Sequence, residues 1–130
     1  SNPSSIAQYA SLEALSGPQE SLEVMRREFD ARRCFLLDRL NRIDGVHCVS
    51  IEGAFYLMPN IRSFFSKSAG EKRIQNSTDL ANYLLDQAHV AVVPGDAFLI
   101  PDNLRISYST SMESLKEGMD RIEAALKLLG

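Results

Sequence analysis

One arginine interrupts a run near the end of the sequence that otherwise favours a β-strand. In NLRISYSTS, residues 103–111, the apolar Leu104, Ile106 and Tyr108 alternate with Arg105 and small polar residues. Such alternation places the apolar side chains on one face of a strand and Arg105 on the other. A guanidinium presents a rigid fork of donors that matches both oxygens of a carboxylate. Arg105 is therefore a candidate anchor for an acidic substrate, although an isolated arginine on an outer strand face is also an ordinary surface residue.

The other residues that could do chemistry do not form a catalytic set. The sequence has no glycine-rich phosphate loop and no HExxH or GxSxG motif. His47 and His89 stand alone, so we expect no metal site. A Schiff-base lysine needs apolar surroundings, but two of the four lysines fall in a polar loop and two on the last helix: Lys67, Lys72, Lys116 and Lys127. We expect no catalytic residue, cofactor ligand or metal ligand in this chain.

Two short segments allow both a structural and a functional interpretation. GAFYLMP, residues 53–59, reads as a strand in which Phe55 and Tyr56 fill the core or line a pocket. VVPGDAF, residues 92–98, reads as a tight turn in which Gly95 supplies a positive φ. Neither segment is decisive by its residue types.

Composition restricts the class of protein. The chain has 130 residues, 45% hydrophobic and 24% charged, which is normal for one globular domain. Its net charge of -3 gives no reason to expect nucleic acid or an anionic membrane as partner, and no apolar run is long enough to span a bilayer. Cys34 and Cys48 lack the spacing of a metal or redox motif. We expect a soluble cytoplasmic protein with two free thiols.

The first third of the chain is predicted to be helical. A first helix has Asn2 as N-cap and Pro3 in its first turn, and it ends at Gly17-Pro18. A second helix over Gln19–Ile43 would extend about 37 Å at 1.5 Å per residue, which suits a connector between domains. Its apolar stripe comprises Leu22, Met25, Phe29, Leu36, Leu40 and Ile43.

The remainder alternates strands and helices. VHCVSI, residues 46–51, and GAFYLMP are predicted to form a hairpin or neighbouring strands, and residues 63–76 a surface loop. Ser77 or Thr78 caps a helix, VAVVPG and LRISYS form short strands, and Ser111 caps a final helix. The order predicts an α/β fold of the α+β type, with helices against one face of a small mixed sheet.

Four segments in this order resemble the C-terminal part of class I aminotransferases, the pyridoxal-phosphate enzymes typified by aspartate aminotransferase. They are SNPSSIAQYASLEAL (residues 1–15), GAFYLMPNI (53–61), VAVVPGDAF (90–98) and LRISYSTSMESLKEGMDRIEAAL (104–126). The resemblance covers essentially the whole chain. One departure is Leu99, because many members place a glycine directly after the AF of this PGDAF motif.

The resemblance implies a domain organisation and a role for two residues. Residues 1–18 would end a large cofactor-binding domain, 19–45 would form the connecting helix, and 46–130 the small domain. Arg105 would bind the α-carboxylate of an amino-acid substrate, and Phe55 would lie near the pocket. The parent would be a homodimer that uses pyridoxal 5'-phosphate to exchange an amino group between an amino acid and a 2-oxo acid, with its Schiff-base lysine upstream of this chain.

Two other hypotheses use the same residues. The chain could be a stand-alone carboxylate-binding or regulatory module built around Arg105. It could also be a dimerisation module in which Arg105 forms a weak surface ion pair. Neither alternative requires a cofactor.

Overall fold

The computed structural model describes residues 2–70 and 72–130, which contain four α-helices and five short strands. The helices are α1 (Ser5–Ser16), α2 (Glu20–Asn41), α3 (Ser77–Ala88) and α4 (Met112–Leu126). The strands are β1 (Tyr56–Leu57), β2 (Ser68–Ala69), β3 (Lys72–Arg73), β4 (Val93–Pro94) and β5 (Leu104–Ser107). Two 3-10 helices cover Arg62–Phe64 and Gly95–Phe98.

The main sheet has the strand order β1-β5-β4, with β5 in the centre. Tyr56 pairs with Ser107, and Val93 pairs with Arg105. This confirms the α/β fold class, but the sheet is antiparallel in both of these pairings instead of mixed. The connection between β4 and β5 spans only residues 95–103, and a parallel pair would need a longer crossover.

The hydrophobic core lies between this sheet, α3, α4 and the second half of α2. Leu104 and Ile106 of β5 are buried against it, and the Tyr83 hydroxyl donates to the Ala125 carbonyl at 2.9 Å. The apolar residues at helical spacing from α4 to the end of the chain are all buried: Leu115, Met119, Ile122, Leu126 and Leu129. Apolar side chains at helical spacing thus fix the face that α4 turns to the sheet.

An ion-pair cluster joins α2 to α4 at the edge of the core. Arg39 donates from Nε to Glu123 and from Nη2 to Asp120, both at 2.7 Å. These two hydrogen bonds raise the pKa of Arg39 above its usual value. A largely buried guanidinium with two carboxylates fixes the register of the helices in addition to their apolar packing.

The long helix is confirmed, with ends slightly inside the predicted range. Its stripe is buried only in the second half, at Leu36 and Leu40, whereas Leu22 and Met25 are more than half exposed. No residue of α1 is buried. The packed core therefore begins about midway along α2. Within the described ranges, no helix has both the length and the apolar content needed to cross a bilayer.

The first helix starts later than predicted. Ser4, not Asn2, is the N-cap of α1, and its hydroxyl accepts from the Ala7 amide at 3.2 Å. An N-cap side chain accepts from the backbone amide two or three residues after it. Ser4 meets this condition, because the helix begins at Ser5 and Pro3 therefore lies before it. The predicted end at Gly17 is confirmed.

The cap of α3 is also displaced, whereas that of α4 is as predicted. Asn76 caps α3 by accepting from the Asp79 amide at 2.9 Å, so Ser77 and Thr78 lie inside the helix. Asn76 lies one residue before Ser77, and its side-chain carbonyl is placed to accept from the amide of the third residue after it. Ser111 accepts from the Ser114 amide at 3.1 Å and caps α4.

The predicted strand over residues 46–51 is wrong. Within this segment only His47 makes a bridge, with Asn60, so the expected hairpin or pair of neighbouring strands is reduced to one antiparallel bridge. The Asn41 side chain accepts from the Cys48 amide at 2.8 Å and donates to the Cys48 carbonyl at 3.0 Å. The Asn41 side-chain amide therefore occupies both backbone groups of Cys48 and leaves neither of them for pairing with β1.

The predicted loop over residues 63–76 is partly ordered. It contains the end of the 3-10 helix and the antiparallel β2-β3 pair, and Phe64 and Ile74 are buried. Glu71 lies outside the described residues. Phe64 and Ile74 anchor the loop in the core. Because they are ten residues apart, they give no periodic signal in the sequence.

The two cysteines are predicted to differ strongly in reactivity. Cys34 is exposed and Cys48 is buried, and burial raises the pKa of the Cys48 thiol. The thiolate is the reactive form, so at mildly alkaline pH we expect iodoacetamide to modify Cys34 at least about tenfold faster than Cys48. Peptide mass spectrometry over time measures both rates. In urea the two rates should converge, and equal rates in the native chain would contradict the buried position of Cys48.

Candidate functional site

Arg105 lies in the central strand of the main sheet. Its neighbours Leu104 and Ile106 are buried in the core, whereas Arg105 is half-buried on the opposite face. This confirms the orientation predicted from the alternation of β5. Pairing with β4 through Val93 and with β1 on the other side holds the backbone of Arg105 in place.

Two aromatic rings hold the Arg105 guanidinium. Its Cζ atom lies 5.4 Å from the centre of the Tyr56 ring and 4.7 Å from that of Phe98. Both distances allow cation–π attraction, which restrains the guanidinium without occupying its N–H donors. Tyr56 is opposite Ser107 in the sheet and shares a face with Arg105. Neither ring could be assigned to Arg105 from sequence, because the register of β1 with β5 brings Tyr56 to it and the path of the 95–98 turn brings Phe98.

Arg105 differs from other arginines of the chain in its partners. Arg33, Arg39 and Arg62 each bind a carboxylate within 3 Å. Across residues 2–70 and 72–130, no acidic side chain forms an ion pair with Arg105. A half-buried arginine with its donors free is chemically suited to bind a carboxylate that comes from outside.

Phe55 lies beside Tyr56 but lines a groove that does not include Arg105. Phe55 is 55% exposed, and its ring meets the Tyr56 ring edge-on, with centroids 6.0 Å apart. It borders a groove formed with the first half of α2, where Leu22, Met25 and Phe29 lie. Tyr56, not Phe55, is the aromatic residue of GAFYLMP that contacts Arg105.

Gly95 starts the turn that carries Phe98, for a reason different from the predicted one. It does not have the positive φ expected from the Pro-Gly pair. Instead, a Cβ atom at this position would lie 2.1 Å from the Ile100 carbonyl oxygen and 2.3 Å from that of Asn103. The Gly95 amide also donates to Asn103 at 2.8 Å. Close packing of backbone against backbone therefore requires glycine here.

The positive φ in this turn belongs to Leu99. It has φ 61° and ψ 25°, the left-handed region, and its side chain is 93% exposed. This is the position at which many class I aminotransferases have glycine. The conformation explains why glycine suits the position, and leucine maintains it at a cost in backbone strain.

Leu99→Gly is expected to stabilise the chain by about 0.5 kcal/mol. Removing the left-handed strain of a residue with a Cβ gains about 1–2 kcal/mol, and the larger unfolded-state freedom of glycine cancels part of this gain. Urea denaturation followed by circular dichroism measures the difference. Leu99→Ala is the matched control and should leave stability unchanged, since alanine keeps the Cβ; equal gains for both variants would contradict the strain.

Comparison with known proteins identifies the family. The sequence model of the family described as aminotransferase class I and II matches residues 1–122. The chain belongs to this aminotransferase family. It is 45% identical over 122 residues to an aspartate aminotransferase of Geobacillus stearothermophilus, and 50% identical over 125 residues to an aspartate/prephenate aminotransferase of Cereibacter sphaeroides. These alignments cover 94% and 95% of this chain but only 30% and 31% of the two relatives.

Solved aminotransferase structures confirm the fold. The aspartate aminotransferase from Rhizobium meliloti is 46% identical, with a TM-score of 0.94, and the alignment covers all of this chain and 33% of that one. An alanine aminotransferase from Pyrococcus furiosus is 30% identical with a TM-score of 0.83, and covers 96% of this chain. The chain thus spans about a third of the length of the aminotransferases it matches.

The aminotransferase family implies pyridoxal phosphate, but no lysine in the part of the chain that the structure describes has the surroundings of a Schiff-base lysine. Lys72 pairs with Asp86 at 2.6 Å, and Lys67 lies 5.1 Å from the centre of the Phe64 ring. Lys116 and Lys127 are exposed on or beside α4. An amine that holds an aldehyde cofactor needs a desolvated pocket, and none of these four has one. The described residues also contain no cluster of metal-ligating side chains.

Proposed function

We propose that the full-length protein is a pyridoxal-phosphate-dependent aminotransferase that exchanges an amino group between an L-amino acid and a 2-oxo acid. In this proposal the present chain supplies Arg105, which binds the substrate α-carboxylate. The observation that carries the proposal is a half-buried guanidinium set between Tyr56 and Phe98, with no acidic partner in the described part of the chain. The cofactor would be held by residues outside this chain and would supply the amino-transfer chemistry.

The names of related aminotransferases support a role in binding the shared part of the substrate. Relatives and structural neighbours include aspartate, aromatic and alanine aminotransferases. Their named substrates differ in the side chain, but α-amino acids and 2-oxo acids all carry a carboxylate bonded directly to the reacting carbon. A carboxylate anchor in the part of the fold that these proteins share therefore serves every substrate equally.

The contribution of Arg105 to the reaction would be positioning. Two parallel N–H···O bonds fix a carboxylate in a plane, and β5 and the two rings fix that plane relative to the protein. Holding a reacting group in a productive orientation can lower a barrier by several kcal/mol, because the entropic cost is met on binding. Half-burial of the guanidinium also reduces competition from water.

The domain organisation is part of the same proposal. Residues 1–18 would end the cofactor-binding domain, 19–45 would connect the domains, and 46–130 would form the small domain of a homodimeric cytoplasmic enzyme. The exposure of every α1 residue and of the first half of α2 supports this division, since these surfaces lack a core of their own.

A comparison of two donors tests the proposal. Purified full-length protein is given a 2-oxo acid acceptor and either L-aspartate or its α-amide, which has nearly the same size but no α-carboxylate. We expect amino transfer from L-aspartate and at least about a hundredfold lower kcat/KM for the amide. No transfer from any L-amino acid would contradict the aminotransferase assignment. Equal rates with the amide would contradict the carboxylate anchor.

A further inference from the structure

Asp96 connects the turn beside Arg105 to the start of α3. Its Oδ2 atom accepts from the Ser77 hydroxyl at 2.9 Å, and the Thr78 hydroxyl lies 3.4 Å from the same oxygen. The Ser77 residue is completely buried, whereas Asp96 itself is exposed. Both hydroxyls belong to the first turn of α3, where the positive end of the helix favours a carboxylate.

These hydrogen bonds attach the turn to a rigid element of the fold. The two ends of the turn are already tied together, by Gly95 N to Asn103 O at 2.8 Å and Ile100 N to Gly95 O at 3.1 Å. Its middle, from Asp96 to Phe98, is exposed and has no core packing of its own. By contrast, α3 is fixed in the core through Leu80 and Leu84. The Asp96 carboxylate is thus the side-chain link between the middle of the turn and a rigid element.

We infer that Asp96 is a positioning residue for the Arg105 site. By tying the 95–98 turn to α3, it holds the Phe98 ring 4.7 Å from the guanidinium and so fixes the direction of the Arg105 donors. The inference rests on the proposed function of Arg105 as a carboxylate anchor. Asp96 has no contact with substrate in this scheme and acts through Phe98.

The test measures carboxylate binding in the full-length protein. Succinate, an aspartate analogue without an amino group, serves as an unreactive probe in isothermal titration calorimetry. We expect Asp96→Ala to raise the succinate Kd and the KM for L-aspartate about tenfold, because a loosened Phe98 lets the guanidinium leave its bound orientation. Asp96→Asn keeps an oxygen that accepts from Ser77, and should bind succinate within about twofold of the unchanged protein.

Asp79→Ala is the matched control. Asp79 also lies in the first turn of α3 and accepts from the Gln75 amide at 2.9 Å, but it does not touch the turn. Its loss should lower the melting temperature about as much as Asp96→Ala and leave the succinate Kd unchanged. If Asp96→Ala behaves like Asp79→Ala in both measurements, Asp96 only stabilises α3 and the inference is overturned.

A double variant tests the route through Phe98. Phe98→Leu should weaken succinate binding, and adding Asp96→Ala to it should weaken binding no further. Full additivity would overturn the inference, since it would place the effect of Asp96 elsewhere. Arg105→Ala distinguishes a failure of the proposed function of Arg105 from a failure of the positioning role of Asp96. If it leaves succinate binding unchanged, the proposed function fails; if it abolishes binding while Asp96→Ala has no effect, only the positioning role fails.

Discussion

Arg105→Ala in the full-length protein is expected to lower kcat/KM about a hundredfold or more for every amino-acid donor. Truncating one partner of a desolvated, bidentate charge pair costs roughly 2–5 kcal/mol, which corresponds to a factor of about 30 to several thousand. The loss should fall on all donors alike, because the α-carboxylate is common to them. Steady-state kinetics with aspartate, alanine and an aromatic donor measure it. The visible absorption of bound pyridoxal phosphate should remain, because the proposal places the cofactor site outside this chain.

Arg105→Lys shows whether charge alone is sufficient. Lysine keeps the positive charge but has neither the planar fork nor the same stacking between Tyr56 and Phe98. We expect about a tenfold or larger loss. Arg42→Ala is the control: Arg42 is a largely exposed residue of the same type whose partner is Asp38, so its loss should change kcat/KM by less than about twofold. Unchanged kinetics for Arg105→Ala would remove Arg105 from the site.

The elements that sequence predicted well carry a periodic signal within a few residues. In β5, Leu104 and Ile106 alternate with Arg105, and this alternation was sufficient to place the guanidinium outside the core. In α4, the apolar stripe and the Ser111 cap define both its buried face and its start. Local pattern decides such elements because the spacing of the apolar residues allows only one face of the strand or helix to be buried.

Where the prediction failed, contacts with residues outside the predicted segment decide the structure. The amide of Asn41 occupies the backbone of Cys48, and nothing in VHCVSI itself indicates that its pairing groups are taken. The ring partners of Arg105 depend in the same way on the register of β1 with β5 and on the path of the 95–98 turn. The charged centre of the candidate site is therefore predictable from sequence, whereas the rings that hold it are not.

The PGDAF turn shows both kinds of outcome within five residues. The sequence predicts a conformational role for Gly95 and shows a departure from the family at Leu99, and both positions have unusual backbone surroundings or torsion angles in the structure. The positive φ expected at Gly95 falls on Leu99, and Gly95 is required instead because a Cβ atom has no space there. A Pro-Gly pair reports that a side chain is not tolerated, but it does not say whether torsion or space forbids it.

Gly95→Ala is expected to destabilise the chain by about 3 kcal/mol or more. The added Cβ would lie 2.1 and 2.3 Å from two backbone carbonyl oxygens, and neither can move as a flexible side chain would. Relief requires the turn to separate from the start of β5, which breaks the hydrogen bond from the Gly95 amide to Asn103. Overpacking in rigid surroundings costs about 1–3 kcal/mol, and the lost backbone bond adds to it. Urea denaturation followed by circular dichroism gives the difference.

Gly118→Ala makes the same chemical change where there is space. Gly118 lies inside α4, and a Cβ there has no neighbour within 4 Å. Alanine in a helix interior is better than glycine by about 1 kcal/mol, so this variant should be more stable than the unchanged chain. The two substitutions are therefore predicted to have opposite signs. If Gly95→Ala also stabilises the chain, the turn does not pack against Ile100 and Asn103 as described, and Phe98 has no fixed position from which to hold Arg105.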